Sequence, residues 1–190
     1  MIITVSGLPG SGKTTISKIL AKKLGYKFYS IGELRGQMAL KRGLTIDQFN
    51  ELGKKEAWTD KVVDDYQRRL GRTEDNLVIE GRLGFYFIPH SFKIFFTVDL
   101  AESARRIVHG KGLRRDERIP KSVEVYQKTL EERVKNDKYR YKKYYGLDFT
   151  DPKHYDLIID TTHLKKGHIL RDILYSLTLY EKSSKLKTSL

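Results

Sequence analysis

The chain predicts an α/β fold in which a five-stranded parallel sheet carries helices on both faces, and three observations lead there. Five short apolar runs alternate with longer segments whose apolar residues recur at helical spacing. Strands joined through helices return in parallel by right-handed crossovers. The chain also opens on a strand, Ile2-Ile3-Thr4-Val5, that leads directly into a glycine-rich loop and a helix. A length of 190 residues is one domain's worth and enough to bury a full core.

In that first unit Gly7-Leu8-Pro9-Gly10-Ser11-Gly12-Lys13-Thr14 has the spacing of a phosphate-binding loop. Ile16, Ile19, Leu20 and Leu24 continue as the apolar face of a helix. Glycines let successive N–H groups converge on an anion, and the new helix adds the positive end of its dipole. Gly7, Pro9, Gly10, Ser11, Gly12, Lys13, Thr14 and Thr15 are therefore the candidate nucleotide contacts, with Lys13 on the β- and γ-phosphates and the Thr14 hydroxyl on Mg²⁺. The competing reading is a glycine-rich turn with a solvated lysine. The motif specifies a nucleoside triphosphate and leaves the reaction open.

Residues 26–30 read as the second strand, and Ser30 as the cap of a helix from Glu33 to about Lys41 that ends near Gly43. Thr45 and Gln48 stand in capping-box register for the next helix. From Trp58 to Leu70 the residues Val62, Val63, Tyr66 and Leu70 predict a third, closed by Gly71. The third strand, residues 76–82, ends in Glu80, Gly81 and Arg82 at the edge where a nucleotide site lies in such sheets. Glu80 is the candidate to complete a Mg²⁺ environment through water. A plain ion pair would use the same residue.

Residues 92–98 are the fourth strand, and Asp99 starts a helix. Beyond it Arg105, Arg106, Arg114, Arg115 and Arg118 cluster around Gly110 and Gly112, as suits a lid over phosphates at about 110–120 or a solvated charged loop. The helix over 122–145 carries a stripe of Val123, Tyr126, Leu130, Val134 and Tyr141. Arg133, Asp137 and Arg140, at i, i+4 and i+7, share the face beside it. They suit either a clamp for one phosphate and one hydroxyl or a surface salt-bridge ladder. Residues 155–160 are the fifth strand, and Ile169, Leu170, Ile173, Leu174 and Leu177 face a last helix. Residues 1–180 form one domain without repeats, and 181–190 read as a frayed basic tail.

There is no cysteine, which excludes a disulfide frame and thiolate metal sites. No apolar run nears the roughly 20 residues of a membrane span, and the N-terminus enters the fold directly, so a soluble cytoplasmic chain without a membrane partner is expected. The net charge of +13 fits either a nucleic-acid surface or a phosphate-handling enzyme with additional solvated lysines. Many lysines fall in pairs such as Lys22-Lys23 and Lys54-Lys55 or in the tail. Small-molecule nucleotides are thus the expected partners rather than nucleic acid, and a monomer the expected state.

These features together resemble the P-loop kinases of nucleoside monophosphates, in particular the archaeal form of the cytidylate kinase family, over about residues 1–175. Besides the loop, the resemblance rests on Ile79-Glu80-Gly81-Arg82 where the family has an Asp-Gly-Arg-Asp run, on Lys93-Ile94-Phe95-Phe96, and on the spacing of Arg133, Asp137 and Arg140. It rests also on Tyr155-Asp156-Leu157-Ile158-Ile159-Asp160 and on the segment from Arg140 to Asp148. It implies a three-layer P-loop NTPase fold with strand order 2-3-1-4-5, acceptor-binding helices at about 31–72, ATP and Mg²⁺ as cofactors, and CMP or dCMP as acceptor. By position it makes Lys13, Arg133 and Arg140 the catalytic candidates. Ser30, Arg35, Arg82, Arg133, Asp137 and Arg140 would hold the acceptor, and Arg114, Arg115 and Arg118 the lid. Replacing Lys13 or Arg140 by alanine is expected to abolish most turnover and leave the fold intact. Leu83 departs from the family's aspartate beside the base, the arginine of bacterial members near Asp60 is missing, and Arg35 falls one place early, toward the acceptor or toward solvent. Kinases of AMP, UMP or a metabolite, and an RNA-associated ATPase, are the other readings.

Overall fold

The computed structural model describes residues 1–110 and 122–188. Strands β1 (Ile2–Gly7), β2 (Lys27–Ser30), β3 (Leu77–Glu80), β4 (Phe92–Thr97) and β5 (Leu157–Asp160) form one parallel sheet. Its order is β2-β3-β1-β4-β5, as the resemblance implies. Every residue of β1 is buried. Because side chains alternate across a strand, β1 serves two cores at once. Ile2, with Leu77, Ile79 and Phe95, joins the core on one face, while Ile3 and Val5, with Val78, Ile94 and Phe96, join the other.

The second core is closed by α1 (Lys13–Leu24) and α8 (Lys166–Thr188), through Ile16, Leu20, Ile169, Ile173 and Leu177. The first is closed by α2 (Ile31–Leu40), α3 (Ile46–Lys55), α4 (Trp58–Thr73), the single turn α5 (Gly84–Phe87) and the C-terminal half of α7 (Val123–Tyr145). Helix α6 (Leu100–Val108) packs on the N-terminal half of α7 around Ala104, Tyr126 and Leu130. Among the described residues no helix is long and apolar enough to cross a membrane.

The capping signals act as read: Ser30 accepts from the Glu33 amide, and Thr45 with Gln48 closes a full capping box. Other boundaries move for physical reasons. Helix α4 passes through Gly71 to Thr73, because the missing side chain lets Ile88 approach; a Cβ there would lie 2.9 Å from its Cγ1. Of the α4 stripe, Val63 and Leu70 are buried but Val62 is exposed. In α7 Tyr126, Leu130 and Tyr141 are buried, while Val134 is only half-buried. Helix α5 is too short to leave a periodic signal. Helix α8 runs on to Thr188 where a frayed tail is expected, as no glycine or proline interrupts it after Gly167.

The fold aims the first loop by a close approach. Gly7 has φ 147°, and the Leu8 amide donates to the Phe96 carbonyl at 3.0 Å, so the chain leaves β1 pressed against β4. A Cβ on Gly7 would stand 2.4 Å from that carbonyl oxygen. Gly7→Ala is therefore expected to lower the unfolding free energy by about 2 kcal/mol or more. Gly167→Ala, where a Cβ meets nothing, should be neutral or slightly stabilising in the same urea titration.

Candidate active site

The chain places strands two and three on one side of β1 and strands four and five on the other, so the C-terminal end of β1 is the switch point of the sheet. A cleft of about 530 Å³ opens there between the first loop, α4 and α7.

At one end, Gly12 caps α1 in a left-handed conformation (φ 84°), with no side-chain cap and no acidic residue in the first turn. The first amides and the helix dipole therefore face the cleft uncompensated. Ser103 Oγ donates to the Pro9 carbonyl at 2.8 Å and Thr161 Oγ1 to the Ser11 carbonyl at 3.1 Å, which pins the loop from α6 and from the end of β5. A Cβ on Gly10 would meet Ser103 Oγ at 1.9 Å. Lys13 Nζ donates to the Leu8 carbonyl at 2.6 Å and so lies across the loop's own mouth. Pro9, Gly10, Gly12, Lys13, Thr14 and Thr15 line the cleft. Gly7 and Ser11 do not: they shape the loop from beneath, and Ser11 Oγ is buried without a partner among the described residues.

Glu80 ends β3 beside Thr14, whose Oγ1 donates to Glu80 Oε2 at 3.4 Å, and Ser30 Oγ donates to the same oxygen at 2.7 Å. Among the described residues Glu80 has no cationic partner, so the plain ion-pair reading does not hold. Ser30 is absent from the cleft lining, because its hydroxyl caps α2 and orients Glu80. A buried carboxylate beside a threonine hydroxyl is a donor set of hard oxygens, which suits Mg²⁺.

The other wall is a ladder of alternating charges. Arg82 Nε donates to Asp137 Oδ2 at 2.9 Å, and its Nη1 to the Gly7 carbonyl at 2.7 Å. Arg140 Nη2 reaches Asp137 Oδ1 at 2.6 Å, and Nη1 reaches both oxygens of Asp60 at 2.6 and 2.8 Å. Arg35 Nη1 closes the ladder on Asp60 Oδ1 at 2.9 Å. Three guanidiniums share two carboxylates, leaving one net positive charge. Burial works against the charged form of Asp137, but Arg82 and Arg140 outweigh it and hold its pKa below the usual carboxylate value. Burial also opposes the Arg140 charge, yet Tyr141 and then the carboxylates of Asp137 and Asp60 keep that pKa raised. In Arg35 burial, followed by repulsion from Arg140, lowers the pKa.

Several expectations change here. Arg35 does not point to solvent: it is buried over the Phe49 ring, 5.0 Å from its centroid, and lines the cleft. Asp137 gives one oxygen to Arg82 and the other to Arg140, which fixes both guanidiniums at the cleft it lines. Arg133 lines the cleft but bonds Asp47 of α3 at 3.0 Å, so the three α7 residues are not one closed clamp. Arg140 is 1% exposed. Its removal would leave Asp60 with Arg35 alone and Asp137 with Arg82 alone and would empty a buried volume between them, at a cost of about 3 kcal/mol, so an unperturbed fold in Arg140→Ala is no longer expected. Arg114, Arg115 and Arg118 lie outside the described residues. Of their flank, Arg106 and Gly110 line the cleft, whereas Arg105 pairs with Glu102 on the exposed side.

The sequence reading missed Asp60, Asp64 and Gln67, which α4 presents to the cleft at i, i+4 and i+7. The available signal was Gln67, a polar residue midway between Val63 and Leu70 on an otherwise apolar stripe. Tyr145 Oη donates to Asp64 Oδ2. Burial, reinforced by repulsion from Asp60, nevertheless raises the Asp64 pKa to about 7.

A sequence profile of the cytidylate kinase-like family matches residues 2–163. The chain is 35% identical to a cytidylate kinase of Archaeoglobus fulgidus over 175 residues, which cover 92% of this chain and 93% of that one. It is 38% identical to a cytidylate kinase of Methanocella arvoryzae over 162 residues, 85% of this chain and 88% of the other. Among solved structures, shikimate kinase from Bacteroides thetaiotaomicron superposes with a TM-score of 0.60 at 17% identity, covering 94% and 98% of the two chains; this likeness concerns the fold alone.

The raised Asp64 pKa has a definite sign. Between the unfolded value near 3.8 and about 7 the folded chain holds the extra proton, so this group's contribution to stability falls as pH rises through that window. Asp64→Asn should remove that dependence. The difference in thermal midpoint, mutant minus wild type, should grow from pH 4 to pH 7 and level off above, as read by calorimetry at fixed salt.

Proposed function

We propose that this chain, which belongs to the cytidylate kinase-like family of phosphotransferases, uses Mg-ATP to phosphorylate CMP or dCMP, giving ADP and the nucleoside diphosphate. The observation that supports this best is the placement of two phosphate-binding surfaces of different kind across one cleft. On one side are the uncapped amides of α1, and on the other a buried guanidinium ladder with an unbalanced positive charge.

In this reading the α1 amides and Lys13 hold the donor phosphates, Lys13 giving up its bond to Leu8 to reach them. Thr14 would ligate Mg²⁺ through its hydroxyl and Glu80 through water, held in place by Ser30. Mg²⁺ when bound supplies positive charge to the β- and γ-phosphates. Arg82, Arg133 and Arg140 steer the acceptor phosphate into line, with Asp137 and Asp60 as their supports, and Arg35 belongs to the acceptor side. An acceptor phosphate oxygen forms the new bond to the γ-phosphorus as the bridging bond to ADP breaks. That oxygen is already anionic, so no general base is needed, and the chain contributes position and electrostatics. Arg114, Arg115 and Arg118 complete the proposal as a lid that excludes water.

A coupled assay of ADP release, with saturating Mg-ATP and a panel of CMP, dCMP, UMP, AMP and shikimate, tests the proposal. CMP or dCMP should be the best acceptor. Lys13→Ala and Arg133→Ala should each lower kcat about 10²–10³-fold, with unchanged circular dichroism. A chain that passes phosphate to no nucleoside monophosphate refutes the reading.

A further inference from the structure

The polar face of α4 is only partly used by the ladder. Asp60 is saturated by Arg35 and Arg140. Asp64 accepts from Tyr145 at one oxygen, and no bond to its second oxygen forms among the described residues. Gln67 is 2% exposed, lines the cleft, and its Oε1 has no hydrogen-bond partner among the described residues. A buried acceptor without a donor is destabilising, and it persists where a ligand supplies the missing N–H. Apolar Ile46, Val63 and Leu83 line the same chamber, which suits a flat ring. Seven residues of helix, about 10 Å, separate Asp60 from Gln67. A nucleoside monophosphate with its phosphate at the ladder thus brings its base to this end of the cleft.

We infer that Gln67 is the specificity-determining residue of the acceptor site: its Oε1 accepts an N–H of the base's exocyclic amine, with Asp64 one helical turn away as a second acceptor. The inference rests on the nucleoside monophosphate kinase reading and adds how the base is chosen. An amine offers two N–H donors to two acceptors. A keto-pyrimidine puts one carbonyl oxygen in place of the amine: Gln67 can meet it only by turning its amide, and ionised Asp64 has no N–H to give it and is left facing that oxygen in a desolvated site. An amino-pyrimidine is therefore preferred to its keto counterpart.

The test is kcat/KM for CMP and for UMP with saturating Mg-ATP, at about pH 8.5, where Asp64 is ionised. Wild type should favour CMP by at least about tenfold. Gln67→Met, which keeps the volume and removes the acceptor, should reduce that ratio about tenfold or more, mainly through KM for CMP. Asp64→Asn keeps an oxygen for Tyr145 and turns an N–H into the chamber, so it should raise activity on UMP relative to CMP. The inference is overturned if wild type uses the two equally, or if folded Gln67→Met retains the wild-type ratio. Should Gln67→Met fail to fold, Asp64→Asn decides alone, and an unchanged ratio there overturns the inference. A wild-type chain inactive on every nucleoside monophosphate would instead remove the function itself.

Discussion

The structure depends on one buried chain of charges, Arg82, Asp137, Arg140, Asp60 and Arg35, which ties the end of β3 to α7, α4 and α2. Isolated, any of these ions would be costly to desolvate. Together each carboxylate lies between two guanidiniums, and each guanidinium spends further donors on Asn136, Asn50 or a backbone carbonyl. Such a network contributes little net stability against an apolar core, but the loss of any member leaves its neighbours short of a partner. Its surplus of one cation is the physical reason that the cleft suits an anion.

The loop end has the complementary logic. Its positive potential comes from backbone amides rather than side chains, and the backbone must be held where it points. Gly7 presses the loop on β4, while Ser103 and Thr161 fasten two of its carbonyls. These contacts come from residues about 90 and 150 positions away in sequence. Rigidity at this end therefore depends on the complete sheet and on α6. The two ends meet at Arg82, which bonds both Asp137 and the Gly7 carbonyl, so the ladder and the loop share one register.

Between them α4 divides its polar face. Asp60 supports the arginines, whereas Asp64 and Gln67 retain acceptor capacity toward the cleft. Asp64 is held there against a burial cost that raises its pKa, a local departure from the most stable sequence of a kind common where a ligand is to be bound.

The sequence alone determined the strand-helix alternation, the helix caps at Ser30 and Thr45, and the loop with its lysine and threonine. Each depends on neighbours within a few residues, so spacing suffices to read it. Arg133, Asp137 and Arg140 were legible as one face of a helix, but not which partners they take. Arg133 turns to Asp47 and Arg140 to Asp60, 86 and 80 positions distant. Asp64 looks like an ordinary surface residue until α2 and α4 are packed together, and neither the burial of Arg35 nor the partners of Gln67 can be read from spacing. Only tertiary structure decides whether a charge on a helix meets water or another buried charge, because desolvation is a property of everything that surrounds it.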